Sequence, residues 1–198
     1  MNRFGILLFE GCEELDVFGP FEALSCAYKL GADFEVKLGS AEPVAELRLA
    51  YGTRIIPEVL EPKPGDWIVV PGGGWINHSV KGAWSEVRRG ELPRRLAEWK
   101  KKGVQLASVC TGAMLLAAAG LLNGRRATTH HLARIDLEGA GIDFVDAKVV
   151  DEGDIVTAGG ITSGIELGIW LTERFAGPEI AQRLKQHLEY QNDFKVLA

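Results

Sequence analysis

The sequence predicts an α/β fold of three layers, in which a mostly parallel central sheet lies between two layers of helices. Short apolar runs rich in branched residues alternate with longer amphipathic segments, as is typical of strands covered by helices on both faces. The apolar run 67–70 leads directly into Pro71-Gly72-Gly73-Gly74, which predicts a buried strand followed by a tight loop. A second apolar run, 104–109, meets Cys110 and then a segment with helical spacing. The pattern therefore places loops with chemically useful residues directly after buried strands.

The first part of the chain predicts a strand, a helix, a second strand and a small hairpin. The first strand covers 4–9, and the helix covers 15–28 with Pro20 near its start. The second strand covers 34–38. Weaker alternation over 44–56 favours an accessory hairpin outside the main sheet.

The rest of the chain continues the alternation of strands and helices. Glycines and prolines separate the predicted elements. These elements are helices over 92–102, 111–119, 161–175 and from 178 to about 188, and strands over 104–109, 126–129, 144–145, 148–150 and 155–158.

Length and charge narrow the functional classes. The chain has 198 residues and a formal net charge of -5, and the short run 100–102 is its only lysine cluster without acidic neighbours. We therefore expect one domain over residues 1–198 and no nucleic-acid partner. No apolar run is long enough to span a bilayer or to form a signal peptide, so we expect a cytoplasmic protein with no membrane partner.

The three cysteines, Cys12, Cys26 and Cys110, give no disulfide or metal pattern. Their number is odd, and no C-x-x-C spacing is present. We therefore expect no metal site and at least one free thiol. Cys26 falls on the apolar pattern of the first helix and is expected in the core. Cys12 is a possible second redox-sensitive thiol, for which we favour a passive role.

Cys110 is the candidate nucleophile because it lies between a buried strand and the start of a small-residue helix. Such a turn can present a side chain at the carboxyl edge of the sheet, where open α/β folds bind ligands. A helix N-terminus favours negative charge, so we expect the thiol pKa to lie below its usual value of about 8.5. The alternative interpretation is a buried structural cysteine.

Other strand ends supply candidate partners for this thiol. Asp16 follows the first strand with apolar neighbours on both sides, which suits a proton-transfer group, although a helix cap is the alternative. Glu13 and Glu14 are expected to be solvated loop charges. His130, or its neighbour His131, follows a predicted strand and is a further candidate for orienting or moving a proton, although a packed or surface histidine pair is the alternative.

The glycine loop is a candidate for binding substrate and stabilising developing negative charge. Backbone N–H groups of Gly72 and Gly73 could form an oxyanion-type hole together with the N–H of Thr111. A triple glycine alone also fits a purely structural tight turn.

Several motifs together resemble the ThiJ/PfpI superfamily, which has a flavodoxin-like, class I glutamine amidotransferase-like fold. The resemblance covers nearly the whole chain. It is carried by the stretch 11–20, Pro71-Gly72-Gly73, Ser108-Val109-Cys110-Thr111-Gly112-Ala113, the stretches 118–124 and 127–130, and Gly159-Gly160-Ile161-Thr162-Ser163-Gly164.

Within that superfamily the details are most similar to the isonitrile hydratase branch and to the sensor domains of AraC-type regulators. Both share Cys-Thr-Gly, here at Cys110, and the Leu-Asp-x-x-Gly-Pro pattern at 15–20. The regulators continue into a helix-turn-helix domain, for which this chain is too short. PfpI-type proteases have histidine where this chain has Thr111, so we do not expect peptidase activity. Glu166 stands where hydratase-like relatives usually have aspartate, and we expect a difference in the substrate pocket.

The resemblance implies Cys110 as nucleophile, Asp16 as partner acid and Gly73 with Thr111 as oxyanion-type donors. His130 matches a histidine of deglycase-like members. The implied activity is that of a lyase that hydrates an isonitrile to an N-substituted formamide without a cofactor. The alternatives are a glyoxalase or deglycase acting on dicarbonyls, and a non-enzymatic cysteine redox sensor or small-molecule binding protein. The resemblance also implies a small-molecule substrate and a homodimer.

Overall fold

The structure is a computed structural model that describes residues 1–198. The helices are α1 (Glu14–Lys29), α2 (Ala83–Arg89), α3 (Glu91–Lys101), α4 (Gly112–Ala118), α5 (Arg134–Gly139), α6 (Ser163–Ala176) and α7 (Pro178–His187), with a 3-10 turn at His131–Ala133. The strands are β1 (Asn2–Leu8), β2 (Phe34–Ser40), β3 (Leu47–Arg48), β4 (Arg54–Ile55), β5 (Glu58–Val59), β6 (Trp67–Val70), β7 (Gln105–Val109), β8 (Arg126–Ala127), β9 (Asp143–Phe144), β10 (Val149–Asp151), β11 (Ile155–Ala158) and β12 (Val196–Leu197).

Eight strands form one sheet in the order β12-β10-β11-β7-β6-β1-β2-β5. All neighbouring pairs are parallel except β10 and β11, which are antiparallel. This arrangement confirms the predicted mostly parallel sheet. The predicted accessory hairpin is the antiparallel pair β3–β4, while β8 and β9 pair with each other outside the main sheet.

Helices cover both faces of the sheet. The chain moves from β1 to β2 in one direction across the sheet and from β6 to β7 in the other, so right-handed crossovers place α1 and α3 on opposite faces. Helices α6 and α7 pack with α1, and helices α2 and α4 pack with α3. All four residues of β6 and of β11 are buried, as expected for strands between two helical layers. No helix has both the length and the apolar character needed to cross a membrane.

The topology explains where a site can form. Strands β1, β6, β7 and β11 are parallel neighbours in the sheet, so their carboxyl ends lie at one edge. Asp16 lies in the first turn of α1, which follows β1 at this edge, and the loops after β6, β7 and β11 carry the glycine run that starts at Gly72, Cys110, and the segment that starts at Gly159.

Pro20 was predicted near the start of the first helix. In the structure it lies inside α1. The helix packs closely on α6 at this point, where the Cδ atom of Pro20 would lie 2.8 Å from a Cβ atom added to Gly164. Close packing between the two helices therefore accommodates a residue that cannot donate a helical hydrogen bond. Helices α2 and α5 and strands β5 and β12 were not predicted, because such short elements carry little periodic signal.

Candidate functional site

Cys110 occupies a strained turn between β7 and α4, with a backbone φ of 56°. The surrounding chain fixes this conformation. The Cys110 N–H donates to the carbonyl oxygens of Ala158 (3.1 Å) and Gly159 (2.8 Å), and its carbonyl accepts from the Thr129 hydroxyl at 2.9 Å. A left-handed conformation in a residue with a side chain is costly and persists where its surroundings enforce it. The turn therefore holds the thiol in one defined position.

The turn packs directly against the glycine loop that follows β6. A side chain at Gly112 would collide with the carbonyl oxygen of Val70, and a side chain at Gly72 would collide with Thr111. Only glycine allows these two backbone segments to approach so closely. The small residues in both motifs thus fix the distance between Cys110 and the glycine loop.

Asp16 lies behind the thiol and is fully buried. Its Oδ2 atom accepts a hydrogen bond from the Gly72 N–H at 2.9 Å, while Oδ1 has no hydrogen-bond partner of good geometry. Burial raises the pKa of Asp16 to about 7, with a smaller rise from the charge of Glu13, whereas the Gly72 N–H and the Cys110 thiol favour the ionised form. Asp16 is therefore a carboxyl group that can hold or release a proton near neutral pH.

The expectation of a lowered thiol pKa at Cys110 is wrong. The residue is only 5% exposed, and burial raises its pKa to about 12, with the negative charge of Asp16 as the second cause. The N–H groups of Ile161 and Thr111 oppose this rise but do not overcome it. The helix that follows, α4, has only 7 residues, so its dipole is a weak counterweight.

The predicted oxyanion donors have other hydrogen-bond partners. The Gly72 N–H donates to Asp16, and the Gly73 N–H donates to the Thr111 hydroxyl at 3.0 Å. Both glycine N–H groups therefore hold side chains of the site in place. The backbone N–H groups that act on the sulfur are those of Ile161, which the sequence analysis missed, and of Thr111, whose predicted role was to stabilise negative charge on the substrate.

An open pocket of about 300 Å³ leads to the thiol. Four predicted site residues line it: Cys110, Thr111, Gly73 and His130. Asp16 and Gly72 lie behind this wall. The pocket also has residues that were not expected there, namely Glu13, Gly74, Trp75, Ile76, Asn77 and Ile161. Ile161 has a positive φ of 32°, a conformation that no sequence pattern signals.

His130 lies on the pocket wall in a half-buried position. Its ring stacks on His131 with 4.5 Å between ring centroids, and a side chain at Gly160 would collide with it. Burial, and then the neighbouring His131, lower its pKa below the usual 6.5, so the imidazole is neutral at pH 7. The Nδ1 atom accepts from the Leu132 N–H at 3.2 Å, which leaves the hydrogen of the neutral ring on Nε2.

Glu13 and Glu14 are not the solvated loop charges expected from the sequence. Glu13 is half-buried and lines the thiol pocket, and burial raises its pKa. The Glu14 carboxylate accepts hydrogen bonds from the backbone N–H of Tyr51 at 2.9 Å and of Thr53 at 3.4 Å, both at the tip of the β3–β4 hairpin. These contacts form only because the hairpin folds back over the start of α1, far away in sequence.

Glu166 lies on α6 beside the site but does not line the thiol pocket. Its side chain is buried, accepts from the Tyr190 hydroxyl at 2.7 Å and lies 3.8 Å from the ammonium of Lys148. Burial raises the pKa of Tyr190, and the hydrogen bond to the Glu166 carboxylate and its charge raise it further. The expected effect of Glu166 on the thiol pocket is therefore indirect.

The other two cysteines are buried in the core, as expected for Cys26. Burial raises the pKa of Cys12 to about 12, and it does not line the pocket that leads to Cys110. No group of three or more histidine, cysteine, aspartate or glutamate side chains is arranged to hold a metal ion.

Comparison with known proteins shows which family the chain resembles. The family model described as DJ-1/PfpI matches residues 2–174. Isonitrile hydratase from Pseudomonas putida is 33% identical over 190 residues, covering 95% of this chain and 78% of the relative. A deglycase from Pyrococcus abyssi is 35% identical over 165 residues, covering 79% of this chain and 89% of the relative. A ThiJ/PfpI family protein structure from Pseudomonas syringae superposes with a TM-score of 0.81 at 23% identity, covering 97% of this chain and 76% of that chain.

Proposed function

This chain belongs to the DJ-1/PfpI family, and from the geometry of its site we propose that it hydrates an isonitrile to an N-substituted formamide with Cys110 as nucleophile. The observation that carries the proposal is the pairing of a thiol on a strained turn with the fully buried Asp16, whose pKa of about 7 suits proton transfer. Similarity to the P. putida isonitrile hydratase supports the choice of substrate class.

In the first step the Cys110 sulfur attacks the terminal carbon of the isonitrile. Asp16 takes the thiol proton and passes it to the same carbon, so a C–S bond and a C–H bond form and the product is a thioimidate on Cys110. Proton transfer to Asp16 is what makes the sulfur nucleophilic, because its own pKa is too high for ionisation at neutral pH. No cofactor, oxidant or reductant enters this step.

In the second step water adds across the C=N bond of the thioimidate. The resulting tetrahedral carbon carries a hydroxyl, an N–H and the Cys110 sulfur. When it collapses, the C–S bond breaks, the hydroxyl becomes the formyl oxygen, and its proton returns to the sulfur and Asp16 pair. The N–H groups of Thr111 and Ile161 favour the departing thiolate, since both lower the thiol pKa.

A substrate assay with matched cysteine variants tests the proposal. Cyclohexyl isocyanide is the probe, and formamide production is followed by gas chromatography. Cys110→Ala is expected to abolish turnover, while Cys26→Ala, which alters a cysteine outside the pocket, is expected to retain it. Equal turnover by Cys110→Ala would remove Cys110 as the nucleophile, and no turnover by the parent would remove the isonitrile proposal.

A deglycase or glyoxalase reaction on dicarbonyls is the second candidate, because His130 shares the pocket with Cys110 and a deglycase is among the relatives. The thiolate would form a hemithioacetal, and His130 would move the C–H proton. For that role His130 must give up the contact between its Nδ1 atom and the Leu132 N–H. Turnover of methylglyoxal that depends on both Cys110 and His130, without turnover of the isonitrile, would favour this reaction.

We also propose that the protein is a cytoplasmic homodimer. An apolar groove of about 430 Å³ between α1 and α6 supports a dimer, with Leu15, Phe18, Phe21 and Ile165 among its lining residues. Sedimentation equilibrium is expected to give twice the mass of one chain, and replacement of Phe18 by Glu is expected to give the monomer mass. Cell fractionation checks the location.

A further inference from the structure

The water that resolves the thioimidate needs a base on the open side of the pocket. Asp16 is poorly placed for this task, because it is fully buried, does not line the pocket and has one oxygen bound to the Gly72 N–H. His130 does line the pocket, but its Nδ1 lone pair accepts from Leu132 and its Nε2 atom carries the hydrogen. Glu13 is the remaining acid-base group on the wall.

We infer that Glu13 is the general base that activates the resolving water, and that Tyr51 is the residue that positions its carboxylate. The inference rests on the proposed hydration of an isonitrile. Glu13 takes a proton from water as the water oxygen bonds to the thioimidate carbon. It then passes this proton to the nitrogen as the C=N double bond becomes single. Glu13 is regenerated, and Asp16 handles only the proton of the thiol.

The backbone around Glu13 holds it at the pocket. Its N–H donates to the Gly72 carbonyl at 3.0 Å, which ties the start of α1 to the glycine loop. The β3–β4 hairpin is fastened to the same segment, since the Ala50 N–H donates to the Cys12 carbonyl at 2.9 Å and Glu14 accepts from the hairpin tip. The hairpin thus holds the exposed Tyr51, which is remote in sequence, beside the segment that carries Glu13.

The charged and titratable groups near Glu13 set its proton affinity. Burial raises its pKa, the Glu14 charge raises it further, and the Tyr51 hydroxyl favours the carboxylate and lowers it. The negative charge of Glu13 raises the pKa of Asp16. Cys110 and His130 are the other titratable groups that line the same pocket as Glu13. Loss of the Tyr51 hydroxyl should raise the pKa of Glu13, because this hydroxyl favours the carboxylate. Since Glu13 must be ionised to act as a base, the pH at which the enzyme becomes active should then be higher.

Two variants and a charge-matched control test this role with cyclohexyl isocyanide. Glu13→Gln is expected to lower turnover by about a hundredfold or more and to accumulate the thioimidate, seen by intact-protein mass spectrometry as one added isonitrile on Cys110. Tyr51→Phe is expected to shift the acidic limb of the pH–rate profile to higher pH with its plateau retained. Glu179→Gln removes an exposed carboxylate on α7 and is expected to match the parent in turnover, adduct level and pH profile.

The outcomes separate this inference from the proposed function. A parent that does not consume the isonitrile overturns the proposed function and this inference with it. If the parent consumes the isonitrile, two results for Glu13→Gln overturn the role of Glu13 alone. One is turnover within a few fold of the parent, and the other is loss of adduct formation as well as turnover. An unchanged pH profile for Tyr51→Phe overturns the positioning role, and this test stands even if Glu13→Gln does not fold.

Discussion

Asp16 and Cys110 form a pair of groups that cannot both be charged in their buried site. Burial raises both pKa values; the Asp16 charge disfavours ionisation of the thiol, whereas the hydrogen bond from the neutral Cys110 thiol favours ionised Asp16. The arrangement keeps the thiol neutral until a proton transfer to Asp16 creates the thiolate.

Asp16→Asn is expected to have opposite effects on catalysis and on thiol reactivity. Turnover should fall by at least about a hundredfold, because the amide cannot carry the proton to the isonitrile carbon. Alkylation of Cys110 by iodoacetamide should become faster, because removal of the Asp16 charge lowers the thiol pKa. Peptide mass mapping at neutral pH measures the alkylation, and Cys110 is expected to be labelled before Cys12 and Cys26 in the parent. Unchanged turnover would remove Asp16 as the proton carrier and leave it the structural role of binding the Gly72 N–H; the helix-cap alternative is wrong, because the N-cap of α1 is Glu13.

The same variant is expected to change the pH dependence of stability. The pKa of Asp16 rises from 3.8 to about 7 on folding, so the folded state binds more protons between these values and becomes less stable as pH rises through them. The loss is complete above the folded pKa and amounts to at most about 4 kcal/mol. Asp16→Asn should therefore unfold at higher denaturant concentration than the parent at pH 8, with little difference at pH 4. A constant difference across this range would contradict the raised pKa.

At the scale of elements, the packing of α1 against α6 fixes the positions of the two chain segments that enter the site. Gly164 and Gly168 of α6 pack against Pro20 and Ala23 of α1, and a Cβ atom at Gly168 would lie 2.5 Å from the Cβ atom of Ala23. Helix α1 begins within the segment that carries Glu13 and Asp16, and α6 begins at Ser163, two residues after Ile161. The spacing of these two helices therefore sets the position of both sides of the site.

Gly168→Ala is expected to destabilise the protein although alanine favours helices. Overpacking should cost about 1–3 kcal/mol, more than the gain of about 1 kcal/mol in helix propensity. Gly139→Ala, at the end of α5, is the control because nothing lies within 4 Å of the added atom, and it should be neutral or stabilising. Thermal unfolding followed by circular dichroism compares the two. Equal melting temperatures would show that the helices separate easily.

At the scale of the whole molecule, the charge of -5 opposes binding to a polyanion. We expect no sequence-selective retardation of duplex DNA in a gel-shift assay at physiological salt. A lysine-rich protein of similar size would serve as the positive control for charge-driven retardation. Selective retardation by this chain would revive the interpretation as a regulator of the AraC type.

The sequence by itself determined the mostly parallel sheet, the alternation of its longer strands and helices along the chain, and the position of Cys110 after a buried strand. These features depend on local periodicity and on the rule that parallel strands end at one edge, and both can be read along the chain. Asp16 and Thr111 were placed near Cys110 for the same reason, because they follow β1 and β7, which end at the same edge. His130 lines the same pocket although the strand before it, β8, pairs with β9 outside the main sheet, so the sequence argument from a shared sheet edge was wrong for this residue.

Only the tertiary structure decided which groups are buried and which atoms meet. The raised thiol pKa at Cys110 depends on desolvation by distant segments and on the Asp16 charge, which together outweigh the local effect of the helix terminus. The position of Glu13 at the pocket depends on a hairpin about forty residues further along the chain, which carries Tyr51. Neither effect has a local pattern, because burial and charge proximity arise from contacts between residues far apart in sequence.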